Sequence, residues 1–416
     1  MPTISILYFF EYLDRGNIAN AKLYGLASGH NTSEQGVGPG KQTLTDTQWQ
    51  LCIMIFYVGL VLCQVPGCIG YRIFPPSKWI AFGVCGYCAT SLLQNATFNR
   101  AEELVCRVFL GAFEGLFGTG IVYYLSLWYH RTEMGVRVFC FLGPTAIAGA
   151  FGGLISYGIG HGLFCLYWVP GRPMKNSRFS GADQEIAEAR FRSEAFERSD
   201  KVQMKHIIAA VSDWRLYGQA AMYLPTAALL SSISDLGYEK PTSANLMTVP
   251  PYACAFLLVY IMSRSSDHFH DRGIHITVLA LIATIAYALL ATLPEAALKG
   301  KYGCICIAVA CVYATYPPSH AWTANSFGNE TKRAVGMGLY TAIGNCGSIA
   351  GSFFFPSEQA PQFRKGHFIC MGMAIATAVF ALANSMALRY IHLQRNKRYG
   401  KPEEGAPVDV SELEDG

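Results

Sequence analysis

Ten stretches of this chain run without a single Asp, Glu, Lys or Arg: residues 47–71, 79–99, 115–130, 138–171, 216–234, 241–263, 273–294, 302–329, 334–357 and 366–388. A helix needs about 20 mostly apolar residues to cross ~30 Å of hydrocarbon, and most of these stretches reach that length. Soluble domains carry roughly a quarter of their residues charged and spread them over the whole surface. Here only 14% of 416 residues are charged, and nearly all of those lie between the stretches. Such segregation predicts an all-α polytopic membrane protein.

The placement of the charge predicts an orientation. With the chain starting inside and alternating, most of the 32 Lys and Arg residues fall in segments on one side. The opposite segments hold only Lys22, Lys41, Arg100, Lys240, Lys299, Lys301, Arg364 and Lys365. That is the positive-inside bias, so both termini are expected in the cytoplasm, with the plasma membrane as the expected location. The polar segment His30–Thr45 is then external, and its Asn31-Thr32-Ser33 sequon makes Asn31 the expected glycosylation site. The basic residues serve topology, and nothing in them suggests a nucleic-acid partner. The 14 cysteines sit mostly inside the apolar stretches, without His or carboxylate company, and read as small packing residues. With no metal cluster, nucleophile elbow or phosphate loop, neither an enzyme nor a cofactor is expected.

The spans are predicted at about 3–26, 47–69, 79–97, 103–127 and 138–160, and then at 214–235, 244–262, 274–293, 302–323, 334–356 and 367–390. This divides the chain into an N-terminal half (1–171), a charged amphipathic linker (172–213), a C-terminal half (214–391) and a disordered tail (392–416). Two halves around a charged linker is the layout of a parallel-repeat transporter. Parity demands an even number of crossings before the linker. Yet residues 138–171 hold 34 uncharged positions, and two spans with a turn need more than ~40. Span 6 therefore reads as largely missing, and span 7, with 19 uncharged residues, as short. The turns after spans 2 and 8 carry Arg72, and Asp267 with Arg272. Charges so placed can hold two halves together at their cytoplasmic ends.

Away from the span ends, five charges lie in spans 1 and 4: Glu11, Asp14, Arg15, Arg107 and Glu114. Each costs about 2.5–3.5 kcal/mol at mid-bilayer, so they are expected to face one another or a wet cavity. Glu11 and Arg15 are spaced to pair along one helix face. Arg107 and Glu114 share a stripe about 10 Å long. A carboxylate near an Arg can exchange a proton as the pairing changes, and a released Arg grips an organic anion. His161, His320 and His367 read as boundary residues, and Tyr12 and Asn345 as cavity candidates. Glycines crowd spans 4 and 5, where Gly149 and Gly153 show a spacing for close helix approach.

Leu13-Asp14-Arg15-Gly16-Asn17-Ile18-Ala19-Asn20-Ala21 resembles the first-span signature of the fungal anion:cation symporters. This is the allantoate, nicotinate and pantothenate permease branch of the major facilitator superfamily. Arg107-x-x-x-Gly111-x-x-Glu114 followed by Tyr123-Tyr124-Leu125-Ser126-Leu127-Trp128-Tyr129 is similar to their fourth span. Gly149-Ala150-Phe151-Gly152-Gly153, Val249-Pro250-Pro251-Tyr252, Trp322-x-x-Asn325, Thr331-Lys332-Arg333-Ala334 and Gly344-Asn345 extend the likeness along the chain. The resemblance implies a major facilitator fold of two six-helix halves. It also implies a monomer that imports a small organic anion with protons, driven by the proton gradient. Asp14 and Glu114 would carry protons, Arg15 would meet the anion, and Arg107 would balance them. Thr119 stands where the family has Pro, and the family's Trp-rich start of span 6 is absent. Only by comparison with the family does span 1 read as shortened. An exporter of a small metabolite or toxin, or an inactive or sensor-like member, are the other readings.

Overall fold

The computed structural model describes residues 4–12, 46–95, 97, 100–129, 134–145, 148, 204–233, 241–269, 271–294, 297–327, 330–355, 359 and 362–399. They form helices joined by turns, with no strand among the described residues. In chain order these are α1 (4–12), α2 (Asp46–Ile73), α3 (Pro76–Asn95), α4 (Arg100–Ser126), α5 (Met134–Leu142), α6 (Met204–Val211), α7 (Trp214–Ile233), α8 (Pro241–Phe269), α9 (Arg272–Thr292), α10 (Leu298–Asn325), α11 (Glu330–Gly351) and α12 (Arg364–Tyr399). By length and composition, α2, α4, α9, α10 and α12 can each cross a bilayer.

Local chemistry sets the helix starts. Pro76 opens α3 at the position where a missing N–H costs nothing. Asp271 caps α9 by accepting from the Ile274 N–H at 3.1 Å. Prolines inside α2, α7, α8 and α10 are tolerated because packed neighbours re-satisfy the freed carbonyls. α12 departs from expectation at its end. It runs to Tyr399, past the predicted start of the tail at 392, and Lys397 and Arg398 in its last turn complement the helix dipole. α7 has 20 residues, enough for one crossing. The region expected to lack a sixth span, the remainder of span 1 and the Gly149–Gly153 pair lie outside the described residues.

Within each half the helices meet backbone to backbone. α2 packs on α4, and α7 on α11. A Cβ on Gly111 would stand 1.9 Å from the Phe56 carbonyl oxygen, and one on Gly347 would stand 1.9 Å from that of Leu224. Neither crossing admits a side chain. Gly347→Val is therefore expected to lower the unfolding midpoint in detergent by the equivalent of about 1–3 kcal/mol or more. Gly303→Val is the matched control, because a Cβ there meets nothing within 4 Å. Equal shifts for the two would refute the tight crossing.

Between the halves, α2 lies along α11, while α5 packs on α8 and α10. A core cluster joins Tyr8, Tyr71, Tyr123 and Phe141 of the first half to Tyr223, Ala321, Met337 and Tyr340 of the second. At their crossing a Cβ on Gly338 would meet the Val65 Cα at 2.9 Å, so here too the two backbones nearly touch.

Candidate functional site

Among the described residues, Glu11 is the intramembrane charge that lies where α1 meets α4. The Glu11 carboxylate lies over Gly118, with Oε1 3.2 Å from where a Cβ would stand. The Glu11 carbonyl accepts from the Tyr87 hydroxyl at 3.0 Å, which ties α1 to α3. Glu114 is one turn along α4 from Gly118, so the two carboxyls occupy one neighbourhood. Both are enclosed, Glu11 at 3% exposure and Glu114 at 5%. Two turns from Glu114, Arg107 pairs with Glu103 at 3.4 Å. Glu103 also accepts from Gln94 Nε2 at 2.6 Å and from the Thr97 hydroxyl at 2.9 Å. Sequence reasoning did not single out Glu103, although its i, i+4 spacing to Arg107 was the available signal. Asp14, Arg15 and Asn31 lie outside the described residues.

Opposite this cluster the second half presents hydroxyls and rings. Tyr12 and Tyr313 share a hydrogen bond between their hydroxyls at 2.7 Å, joining α1 to α10. Tyr252 of α8 meets the Tyr313 ring edge-on at 5.6 Å. The Tyr223 hydroxyl donates to Asn345 Oδ1 at 3.3 Å and stands 3.5 Å from the Tyr316 hydroxyl. Tyr223 stacks on Tyr340 at 4.8 Å, and His320 packs edge-on against both. His320 Nδ1 lies 3.1 Å from the Tyr316 carbonyl. A carbonyl only accepts, so Nδ1 is the donor in this contact. The sequence suggested a boundary position for His320 and His367, but both are buried. His320 belongs to a tyrosine cluster drawn from α7, α10 and α11 that no periodicity announced.

At one end of the bundle the halves are clasped twice. Arg72, closing α2, pairs with Glu330 and donates to the Thr331 hydroxyl at 3.2 Å, both in the first turn of α11. Asp267, near the end of α8, accepts from the N–H groups of Gly135 (3.1 Å) and Val136 (2.8 Å), which open α5. Arg272 Nη2 steadies Asp267 at 3.1 Å. The polarity of the two clasps is opposite. An aspartate complements the positive N-terminus of α5 directly, whereas Arg72 reaches the N-terminus of α11 through an intervening glutamate. Arg333, fully buried, adds a third tie by donating to the Phe327 carbonyl of its own half and to the Ser126 carbonyl that ends α4.

A sequence profile of the Major Facilitator Superfamily matches residues 4–352. The chain belongs to that superfamily. Among its relatives, the MFS transporter prlL of a fungal species (strain NRRL 50135) is 30% identical, over 92% of this chain and 83% of its own length. The high-affinity nicotinic acid transporter of Saccharomyces cerevisiae is 24% identical, over 96% of this chain and 77% of its own. The alignment with prlL runs over 420 positions yet takes in 92% of a 416-residue chain. That relative therefore carries internal residues which this chain lacks. Among solved structures, the human organic anion transporter MFSD10 superposes with a TM-score of 0.65 at 12% identity, covering 91% of this chain and 99% of its own.

In this facilitator, then, the apolar helices belong to a multi-pass membrane protein, and the clasps lie at the end where α6 packs on α11. Asp213 marks that junction. It caps α7 through the Arg215 N–H at 3.0 Å and pairs with Arg215 (3.0 Å) and with Lys332 (2.9 Å) of α11. Burial alone would raise its carboxyl, but the hydrogen bonds from Arg215 and Lys332 and the charge of Arg215 outweigh burial and hold it below the usual range. A depressed carboxyl stabilises the fold above its unfolded pKa, and that contribution is lost as pH falls through the folded value. Glu330 and Thr331 engage Arg72, Lys332 engages Asp213 and Arg333 engages Ser126, which makes the start of α11 the hub of this end.

Proposed function

We propose that this facilitator is a secondary transporter that couples protons to the uptake of a small organic anion such as a carboxylated vitamin or nitrogen source. The carrying observation is the pair of enclosed carboxyls, Glu11 and Glu114, beside an Arg107–Glu103 pair within the spans. Charge kept in the bilayer at that cost marks a pathway by default. Kinship with a nicotinic acid transporter supports a carboxylated substrate, and the Asp-Arg and Arg-Glu signatures support the anion:cation symporter branch. Asp14 and Glu114 are the proposed proton carriers, with Arg15 as the anion's contact. Arg107, held by Glu103, balances them, while Tyr12 and Asn345 line the path. The clasped end, with Arg72, Asp267 and Arg272, is assigned to the cytoplasm, along with both termini. Asn31 is assigned to the outside of the plasma membrane. The proton gradient drives a monomeric carrier.

The test is uptake of labelled organic anions into vesicles holding the purified chain, with an imposed pH gradient. Accumulation that collapses with a protonophore supports the reading. Uptake indifferent to the gradient, or export alone, defeats it. A second reading rests on the internal residues present in prlL and absent here: a chain short of its sixth span that transports weakly or not at all. It predicts no saturable flux from a transcript encoding these 416 residues, and a restored flux when the absent segment is returned.

A further inference from the structure

α6 and the start of α7 form a surface that lies outside the pathway proposed above. α6 has eight residues in three sectors. His206 and Ala210 are buried toward the bundle, where α6 packs on α11. Lys205 and Ala209 face outward on one flank. Met204, Ile208 and Val211, spaced four and three apart on one face, are left open, Met204 at 68% and Ile208 at 61% exposure. The exposed rings of Trp214 and Tyr217 continue this apolar face into α7.

Its height is fixed by α7. The 20 described residues of that helix rise about 30 Å, close to the hydrocarbon thickness. Trp214 therefore stands at the hydrocarbon boundary, where aromatic rings are favoured. A turn of only Ser212 and Asp213 separates α6 from it, so α6 lies at headgroup level. Its attitude is fixed as well. The Tyr217 hydroxyl donates to the Val211 carbonyl at 2.7 Å, strapping the end of α6 to α7. Asp213 binds Lys332 of α11 on the other side.

We propose that α6 is an interfacial helix whose occupant is the bilayer itself. Met204, Ile208 and Val211 immerse in the boundary between headgroups and acyl chains, and Lys205 stands among the headgroup phosphates. An open apolar face, a basic flank and an aromatic continuation into a spanning helix are the three features such a helix requires. The proposal concerns anchoring and holds whether or not the chain carries a substrate.

The test uses the full chain in vesicles of phosphatidylcholine with one quarter phosphatidylglycerol. The photocrosslinker p-benzoylphenylalanine is placed singly at 204, 208, 209 and 285, keeping variants that elute as monodisperse protein. Ile285, exposed on α9, reports the lipid belt. Adducts of lipid mass are expected at 204, 208 and 285, and at least tenfold fewer at 209. Adducts at 285 but none at 204 or 208 would overturn the proposal. So would crosslinks from 204 and 208 to linker peptides of this chain, or to a second protein.

Discussion

Arg72→Ala is expected to loosen the clasped end of the bundle by about 10²–10³ in its closed-to-open ratio. Arg72 is buried, and its carboxylate partner Glu330 lies at the cross-half contact with it. Removing one member of such a pair strands the other, at a cost of about 3–5 kcal/mol, and each 1.4 kcal/mol is about tenfold. Hydrogen exchange by mass spectrometry reads the effect directly. Amides at the end of α4 and the start of α11 should exchange faster in the variant, while those of α9 keep their rate. Arg72→Glu should do at least as much. Combined with Glu330→Arg, it should recover most of the protection, since the pair is rebuilt with its charges exchanged. Unchanged exchange in both single variants would mean that the pair holds nothing shut.

Glu114→Gln is expected to abolish gradient-driven accumulation of substrate while leaving exchange of substrate across the membrane. The amide keeps the volume of the carboxyl and one acceptor oxygen, and removes its charge and its titration. A carrier stripped of its proton step equilibrates its cargo and no longer concentrates it. Counterflow and pH-driven uptake, measured on the same vesicles, separate the two functions. Glu11→Gln is the informative comparison, because its carboxyl sits over Gly118, one turn from Glu114. Loss in Glu114→Gln with retention in Glu11→Gln would assign the step to α4. Full pH-driven accumulation in both, as in the parent, would leave only a static packing role for the pair.

The helices were legible because charge avoids hydrocarbon, and that constraint writes itself into runs of uncharged residues. α9 and α10 begin and end within a few residues of the stretches that announced them. Contacts between halves were not legible in the same way. Arg72, Asp267 and Arg272 stand out in short charged turns, but Glu330 is 258 residues from Arg72 and Gly135 is 132 from Asp267. No local pattern joins residues so far apart. The tyrosine cluster around His320 was hidden for a different reason. Its members come one or two from each of three helices, and a single tyrosine in an apolar run looks like any packing residue. Glu103 escaped notice because it falls at a helix start, where acidic residues are ordinary.

The near-contact of Gly338 with Val65 places a fulcrum. Gly338 lies eight residues along α11 from Glu330, an arm of about 12 Å. If the halves turn about that point, each degree displaces the clasp by only ~0.2 Å on that arm, so parting Arg72 from Glu330 by about 4 Å takes roughly 20°. A side chain at 338 would lengthen no arm but would wedge the bearing. The same short arm means that a force far out along α2, beyond the pivot, reaches the clasp multiplied, while the displacement there is reduced in proportion. This end of the bundle therefore parts only when a whole half turns through a large angle, and the far end of α2 is where such a turn is most easily driven.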